Sequence, residues 1–408
     1  MKYIIRNMEK PFLQASSQYP VVMLCGQRQT GKSTMLRHIA EEDRVYVSFD
    51  RLEVRRLAEN DPALFFETYG HKLLIDEFQR VPSILLAIKD IVDNATYKGE
   101  YASGMFWLTG SQKFVMMQNV SESLAGRVAI FTMLPLSQRE IEGQGSLPFS
   151  PDVEALRGRE HRKKSVQEIF SRIFQGGLPR LASEPDLDRD LYYSSYMNTY
   201  IERDVSALEQ VGKLDEFRAL VTWLAANTAQ ELRYDHISKE IGVSAPTVKS
   251  WVTILERSGI IYILKPYYSN INKRLVKTPK CYFLDTGLAA YLTSWPTPET
   301  LMNGNCAGAF FETFVVAEIL KSFYNSGKEP KLYYYRDVDR REIDLLMVEA
   351  GKLYPIEIKK AKTPTVEGRN LAALASLGMP VMPAIVLCMA DELLPLNRDM
   401  WLCPVGKV

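Results

Sequence analysis

Short apolar runs alternate with amphipathic stretches through the first third of the chain. Val21–Cys25 is a continuous apolar run, followed at once by a glycine-containing turn and by helical spacing over Ser33–Ala40. Further runs at Val45–Phe49, Leu73–Ile75, Met105–Thr109 and Val128–Thr132 read as strands, with helical spacing over Ser83–Val92. Strands separated by helices predict an α/β fold, a parallel sheet with helices on both faces. Glu142–Pro151 is rich in Gly, Pro and Ser, and Arg157–Lys164 reads as a linker with a solvated helix face. Residues 166–215 are helical, with a break at Gly176-Gly177-Leu178-Pro179, and residues 216–265 give three helical segments and a strand. Beyond Cys281 a helix is expected at Phe310–Phe323 and strands at Leu332–Tyr335, Ile343–Val348 and Leu353–Lys359. A helical Val366–Leu377 and a last strand, Ala384–Met389, complete the pattern.

Composition narrows the classes. The 408 residues carry 50 Lys and Arg against 49 Asp and Glu, a formal charge of +1, which excludes a polyelectrolyte tail but not a local basic face. Hydrophobic residues at 46% and charged residues at 24% are those of a folded globular chain. No apolar run reaches the length of a membrane span, and Met1–Tyr19 lacks the form of a secretory signal, so a cytoplasmic protein without membrane contact is expected. Five scattered cysteines and four scattered histidines give neither a disulfide framework nor a metal-ligand spacing.

Gly26-Gln27-Arg28-Gln29-Thr30-Gly31-Lys32-Ser33 fits G-x-x-x-x-G-K-[ST] between a strand and a helix, with Thr34 next in the helix. Glycines let the backbone curl so that its N–H groups face a phosphate, and the helix N-terminus adds partial positive charge. Lys32 reaches the outer phosphates and the Ser33 hydroxyl holds Mg²⁺. Lys72-Leu-Leu-Ile-Asp76-Glu77 delivers two carboxylates at a strand end; Asp76 suits the Mg²⁺ shell and Glu77 a general base toward water. Ser111, after the strand Met105–Thr109, is a candidate sensor of the terminal phosphate. Arg127 is a candidate for stabilising transition-state charge in its own subunit or a neighbour's.

Asp235–Glu240, a turn at Val243-Ser244 and Thr247–Arg257 form a helix–turn–helix pattern followed by a strand, as in winged helices. Val248, Trp251, Val252 and Leu255 face inward, leaving Thr247, Lys249, Ser250 and Thr253 outward. Ile260–Lys280 carries Lys265, Lys273, Arg274, Lys277 and Lys280 without an acid, interleaved with Tyr262, Tyr267 and Tyr268. Such a patch suits phosphate contacts, with Lys273 and Arg274 as candidate DNA contacts; docking of a protein is the alternative. Farther on, Asp344 and Glu357-Ile-Lys359 lie on neighbouring strands, and positions i and i+2 share a face. Two carboxylates and a lysine there could hold Mg²⁺ and orient water toward a phosphodiester, with Glu312 completing the set. This resembles a D…E-x-K nuclease core; a salt-bridged strand edge is the alternative.

The motifs Gly26–Thr34, Leu74–Pro82, Leu108–Gln112 and Ser123–Arg127 together resemble the prokaryotic AAA-superfamily P-loop ATPases whose C-terminal region is similar to restriction endonucleases. Gly177–Pro179, Thr199–Asp204, Phe283–Gly287 and Ile356–Lys359 extend the resemblance along the chain. It implies ATP as the nucleotide, a sensor near Ser111 or Gln112 and an arginine role for Arg127. The expected organisation is a P-loop ATPase domain at 1–150, a helical linker at 151–215, a winged-helix-like domain at 216–285 and a restriction-endonuclease-like α/β domain at 286–408. Three functions follow: an ATPase coupling turnover to DNA or partner binding, an ATP-gated metal-dependent nuclease, or a nucleotide-controlled protein switch. A trans-acting Arg127 would require a homo-oligomer.

Overall fold

The computed structural model describes residues 2–100, 103–110, 123–145, 147–200, 213–268, 278–337, 339–366 and 368–408. Five parallel strands form the first sheet: β1 (Val21–Gly26), β2 (Val45–Ser48), β3 (Leu73–Asp76), β4 (Phe106–Gly110) and β5 (Val128–Met133), in the order β2-β3-β4-β1-β5. Burial on both faces explains the unbroken apolar runs. From β1, Val21, Met23 and Cys25 join Val54, Phe65 and Ile88 of α3 (Leu52–Asn60), α4 (Pro62–Tyr69) and α5 (Ile84–Tyr97). Val22 and Leu24 point the other way, onto Phe12 of α1 (Glu9–Ser16) and Met35 and Leu36 of α2 (Lys32–Ile39).

A second body begins with helices Val166–Gln175, Pro179–Ser183, Arg189–Tyr200 and Leu214–Ala226. The helix–turn–helix follows as Tyr234–Ile241 and Ala245–Arg257. Ser244 caps the second helix by accepting from the Thr247 N–H at 3.2 Å, with Pro246 in the first turn, where no backbone donor is needed. Val248, Trp251, Val252 and Leu255 are buried as the spacing requires. Behind them lies an antiparallel sheet of β6 (Gln230–Glu231), β8 (Lys280–Phe283) and β7 (Ile261–Leu264).

The helix Ala307–Tyr324, buried over most of its length, leads to a mixed sheet. Its strands are β9 (Leu332–Arg336), β10 (Glu342–Glu349), β11 (Lys352–Ile358), β12 (Ala384–Cys388), β13 (Leu394–Pro395) and β14 (Met400–Pro404), in the order β13-β14-β12-β11-β10-β9. Residues from Leu134 to Val408 share one continuous hydrophobic core, which crosses the expected divisions at 215 and 285. No helix of the described residues is long and apolar enough to cross a membrane.

The structure departs from the sequence pattern in three places. Ala384–Met389 is not the last strand, because β14 pairs parallel with β12 from Ala384↔Met400 to Cys388↔Pro404. Val366–Leu377 yields one α-helical turn, Arg369–Ala372, which tightens to a 3₁₀ turn over Ala373–Leu377. Arg157–Lys164 is not a solvated helix face: the helix Val153–Arg157 ends at Gly158. Arg162 and Lys163 do face solvent, but Arg159 turns inward over the Phe149 ring, and Lys164, its side chain 8% exposed, pairs with Glu142 at 2.7 Å.

Candidate functional site

The phosphate loop joins β1 to α2. Gly26 has φ +146°, and a Cβ there would stand 2.2 Å from the Met133 carbonyl oxygen, so the backbone itself demands glycine. Gly31 opens α2 at φ +90°, and Gln29 also takes the left-handed region at φ +60°. The Thr30 hydroxyl donates to the Gln27 carbonyl at 2.8 Å, and the Arg6 guanidinium donates to the Thr30 carbonyl at 2.9 Å. Arg6 also reaches the Leu134 carbonyl and Glu140, each within 2.9 Å. A buried arginine from before α1 thus braces the loop from behind.

The Lys32 ammonium folds onto the Gly26 and Gln27 carbonyls at 3.0 and 2.8 Å. Burial pulls its pKa down to about 8, against the attraction of Glu77. The Ser33 hydroxyl donates to Asp76 Oδ1 at 3.0 Å, and Tyr46 donates to Asp76 Oδ2 at 2.9 Å. Asp76 is buried, and Glu77 follows with left-handed backbone at φ +54°. That turn swings the Glu77 carboxylate into the cleft, where the Gln79 amide holds it. The cleft, about 350 Å³, is lined by Arg28, Gln29, Lys32, Ser33, Thr34, Glu77 and Thr199. The hydroxyl–carboxylate pair Ser33–Asp76 offers the oxygen donors that a hard divalent cation takes, so its residues fit Mg²⁺.

One wall comes from the second body. Gln27 donates to the Tyr196 hydroxyl at 2.7 Å, Thr199 lines the cleft, and the Pro179 ring stands beside Gly31. Thr199, Arg6 and Tyr46 were not marked as site residues in the sequence, because their roles arise from chain segments far from the loop motif. Thr109 in β4, within the Leu108–Gln112 motif, has Asp76 as its register partner and is fully buried, and among the described residues its hydroxyl has no hydrogen-bond partner. Ser111 lies outside the described residues. Arg127 lies at the amino end of β5, opposite the phosphate loop across the length of β1, roughly 20 Å at the usual strand rise. There it makes a two-pronged pair with Asp93 at 2.6 and 3.0 Å, so a role at its own subunit's cleft is excluded by distance.

In the third sheet, Lys359 contacts both Asp344 and Glu357 at 2.9 Å. The Ile358 N–H also donates to Asp344 at 2.8 Å. Burial and the Asp344 charge push Glu357 up to about 8, and among the described residues its Oε1 is buried without a hydrogen-bond partner. Glu312 accepts from Tyr282 at 2.7 Å and faces Lys280 at 3.6 Å; burial, with the Asp344 charge adding to it against the pull of Lys280, pushes it up to about 7. Among the described residues no three His, Cys, Asp or Glu side chains converge as metal ligands.

The basic stretch after the helix–turn–helix is partly internal. Lys280 is 5% exposed and paired with Glu342 at 2.6 Å, and Tyr267 packs under β9 and β10 beside Tyr333, Tyr335 and Ile343. These two face the C-terminal sheet because β8 and the segment after β7 lie against it, so they are not available to a nucleic acid. Lys265 and Lys249 are exposed, while Thr247, Ser250 and Thr253 are half-buried. Lys273, Arg274 and Lys277 lie outside the described residues.

The strand order, the loop after β1 and the acid pair after β3 define a P-loop nucleotide-binding unit. Residues 18–142 match the family model described as an AAA domain, in keeping with that unit. Models of two domains of unknown function match further segments, DUF8612 over residues 166–299 and DUF4143 over residues 307–408. The uncharacterized proteins Rv2008c of Mycobacterium tuberculosis and Mb2031c of Mycobacterium bovis are each 26% identical to the chain over 397 residues, 93% of this chain and 82% of the relative. Among solved structures, the Walker-type ATPase PABY2304 of Pyrococcus abyssi covers 70% of this chain and 94% of its own at 15% identity and TM-score 0.42. A RuvB variant of Thermotoga maritima covers 63% and 88% at 17% identity and TM-score 0.29.

Proposed function

We propose that the chain is a Mg²⁺-dependent ATPase that couples nucleotide turnover to binding of DNA or a protein partner through its winged-helix-like segment and C-terminal sheet. The observation that carries the reading is the meeting of Lys32, Ser33, Asp76 and Glu77 in one region at the carboxyl end of the parallel sheet. Lys32 and the loop backbone from Gly26 to Thr34 would hold the phosphates, and Ser33 and Asp76 the cation. Bound Mg²⁺ would neutralise phosphate charge. Glu77 would accept the proton of the attacking water, and Thr109 or Ser111 would sense the terminal phosphate. Arg127 is assigned to a neighbouring copy's nucleotide, since it sits on the far rim of its own sheet. Thr247, Lys249, Ser250 and Thr253 form the outer helix face offered to the partner.

The test is turnover and binding together. Lys32→Ala should abolish ATP binding. Glu77→Gln should keep binding and cut turnover by about 10²–10⁴-fold, the usual share of a general base. Normal hydrolysis by both variants would refute the assignment. DNA affinity that falls steeply with salt, and falls again in Lys249→Ala, distinguishes a nucleic-acid partner from a protein.

A second reading, a metal-dependent nuclease, is favoured by the buried Glu357 oxygen, without a hydrogen-bond partner among the described residues, beside Asp344 and Lys359. Asp344 and Glu357 are oxygen donors of the kind Mg²⁺ takes, and Lys359 would orient water. Calorimetric Mg²⁺ or Mn²⁺ binding lost in Asp344→Ala, with DNA cleavage lost in parallel, would support it. No cleavage of duplex, branched or single-stranded DNA, with or without ATP, would remove it.

A further inference from the structure

A cavity of about 500 Å³ lies away from the nucleotide cleft, between the short helix Gln138–Ile141 at the end of the ATPase domain and the helix Val166–Gln175 of the second body. The volume falls within the range of small-molecule sites. The longer helix buries Ile169, Phe170 and Ile173 in the core and gives the cavity its opposite, polar stripe, Gln167, Ser171 and Arg172. The facing wall is Gln138, which is 6% exposed, and Glu142.

The cavity is rich in donors without acceptors. Its two acids are already engaged: Glu142 holds Lys164 at 2.7 Å, and Glu168 caps Ser165 and contacts Arg162 at 3.3 Å. Behind the wall Glu318 is taken by Lys321 at 2.7 Å and by the Gln138 N–H at 2.8 Å. Among the described residues, no side chain or carbonyl accepts a hydrogen bond from the Arg172 guanidinium, and the side chains of Gln138, Gln167 and Ser171 make no hydrogen bond. Burial lowers the Arg172 pKa from the usual arginine value, against the pull of Glu142 and Glu318. A half-buried arginine with an unfilled fork, ringed by a hydroxyl and two amides from separate walls, matches a tetrahedral oxyanion. The space beyond exceeds a bare ion, and Ile141 gives it an apolar side.

We propose that this cavity is a second ligand site that takes a small phosphomonoester, with Arg172 as its anion-binding group. The short helix that walls the site also carries Glu140, which holds Arg6, and Arg6 holds the Thr30 carbonyl of the phosphate loop. Both sites are therefore fastened to the same few residues.

The phosphate loop itself attracts phosphate, so the experiment uses the full chain carrying Lys32→Ala. Ribose 5-phosphate and inorganic phosphate are titrated calorimetrically. Ribose 5-phosphate should still bind, and adding Arg172→Gln should weaken it at least tenfold. Ser171→Glu, at an exposed position, should abolish binding while near-ultraviolet circular dichroism stays that of the parent. Absence of heat with ribose 5-phosphate, binding of inorganic phosphate alone, or undiminished binding in either added variant would overturn the proposal.

Discussion

Outside the cleft, Asp285 ties together segments far apart in the chain. It is 1% exposed and accepts three hydrogen bonds: from Gly177 N–H at 2.7 Å, Leu288 N–H at 2.8 Å and the Tyr193 hydroxyl at 2.8 Å. One carboxylate thereby caps the helix Thr286–Leu292 and fixes the turn at Gly176–Pro179, whose Gly177 carbonyl receives Leu136 and whose Pro179 stands against Gly31. In Asp285→Ala, Tyr193 keeps the Gln175 carbonyl at 3.1 Å, but two buried backbone donors lose their acceptor. Each such orphan costs about 1–3 kcal/mol, so the loss should be about 3–5 kcal/mol with the small cavity included. For a urea slope of about 2–3 kcal/mol/M the midpoint should fall by about 1–2.5 M. Four of the five tryptophans, Trp223, Trp251, Trp295 and Trp401, lie in the body concerned, so intrinsic fluorescence reports it. Asp285→Asn, which keeps one accepting oxygen, should fall between. If both variants melt within about 1 kcal/mol of the parent, the carboxylate is not the clamp described.

Three further outcomes are expected. Phosphate charge raises the pKa of Lys32 from about 8 in the free protein, so the protonated form binds more tightly; ATP affinity should hold up to about pH 8 and drop above it, by up to about tenfold per unit, and Lys32→Arg should flatten the profile measured by calorimetry. Arg6→Met leaves Glu140 buried without its cation and should cost about 3–5 kcal/mol in urea melts, with weaker nucleotide binding; unchanged affinity would free the loop from this brace. Glu357 binds a proton more tightly folded, near 8, than unfolded, so the parent should lose stability as pH rises from about 4.5 toward 8. Glu357→Gln removes that loss, and its thermal stability relative to the parent should be greater at pH 8 than at pH 5; an equal gap at both would refute the burial argument.

The first sheet and its phosphate loop were legible because local chemistry fixes them. Unbroken apolar runs mark strands covered on both faces, and Gly26, Lys32, Asp76 and Glu77 are bound to strand ends by the sheet itself. The turn before Ala245–Arg257 was equally local, a cap and a proline in register. Helices α1, α3 and α4 were not evident. Pro11 sits inside α1, and α3 and α4 abut at Asp61-Pro62, where Asp61 caps the second by accepting from Leu64. What local pattern did not place was long-range: Arg6 behind the loop, Thr199 on the cleft wall and Lys280 in an ion pair between sheets owe their positions to packing that no neighbouring residue announces. The same long-range packing shows why two motifs, Gly177–Pro179 and Phe283–Gly287, go together: they meet at Asp285.

The unbroken core from Leu134 to Val408 has a practical consequence for genetics. A truncation ahead of Thr286 would strip Leu288, Phe310, Val315 and Ile319 from their places and leave Leu220, Leu224 and Phe283 facing water. The fragment would aggregate, and its inactivity would say nothing of the missing part. Assigning work to the individual segments of this protein is therefore a task for point substitutions in the intact polypeptide.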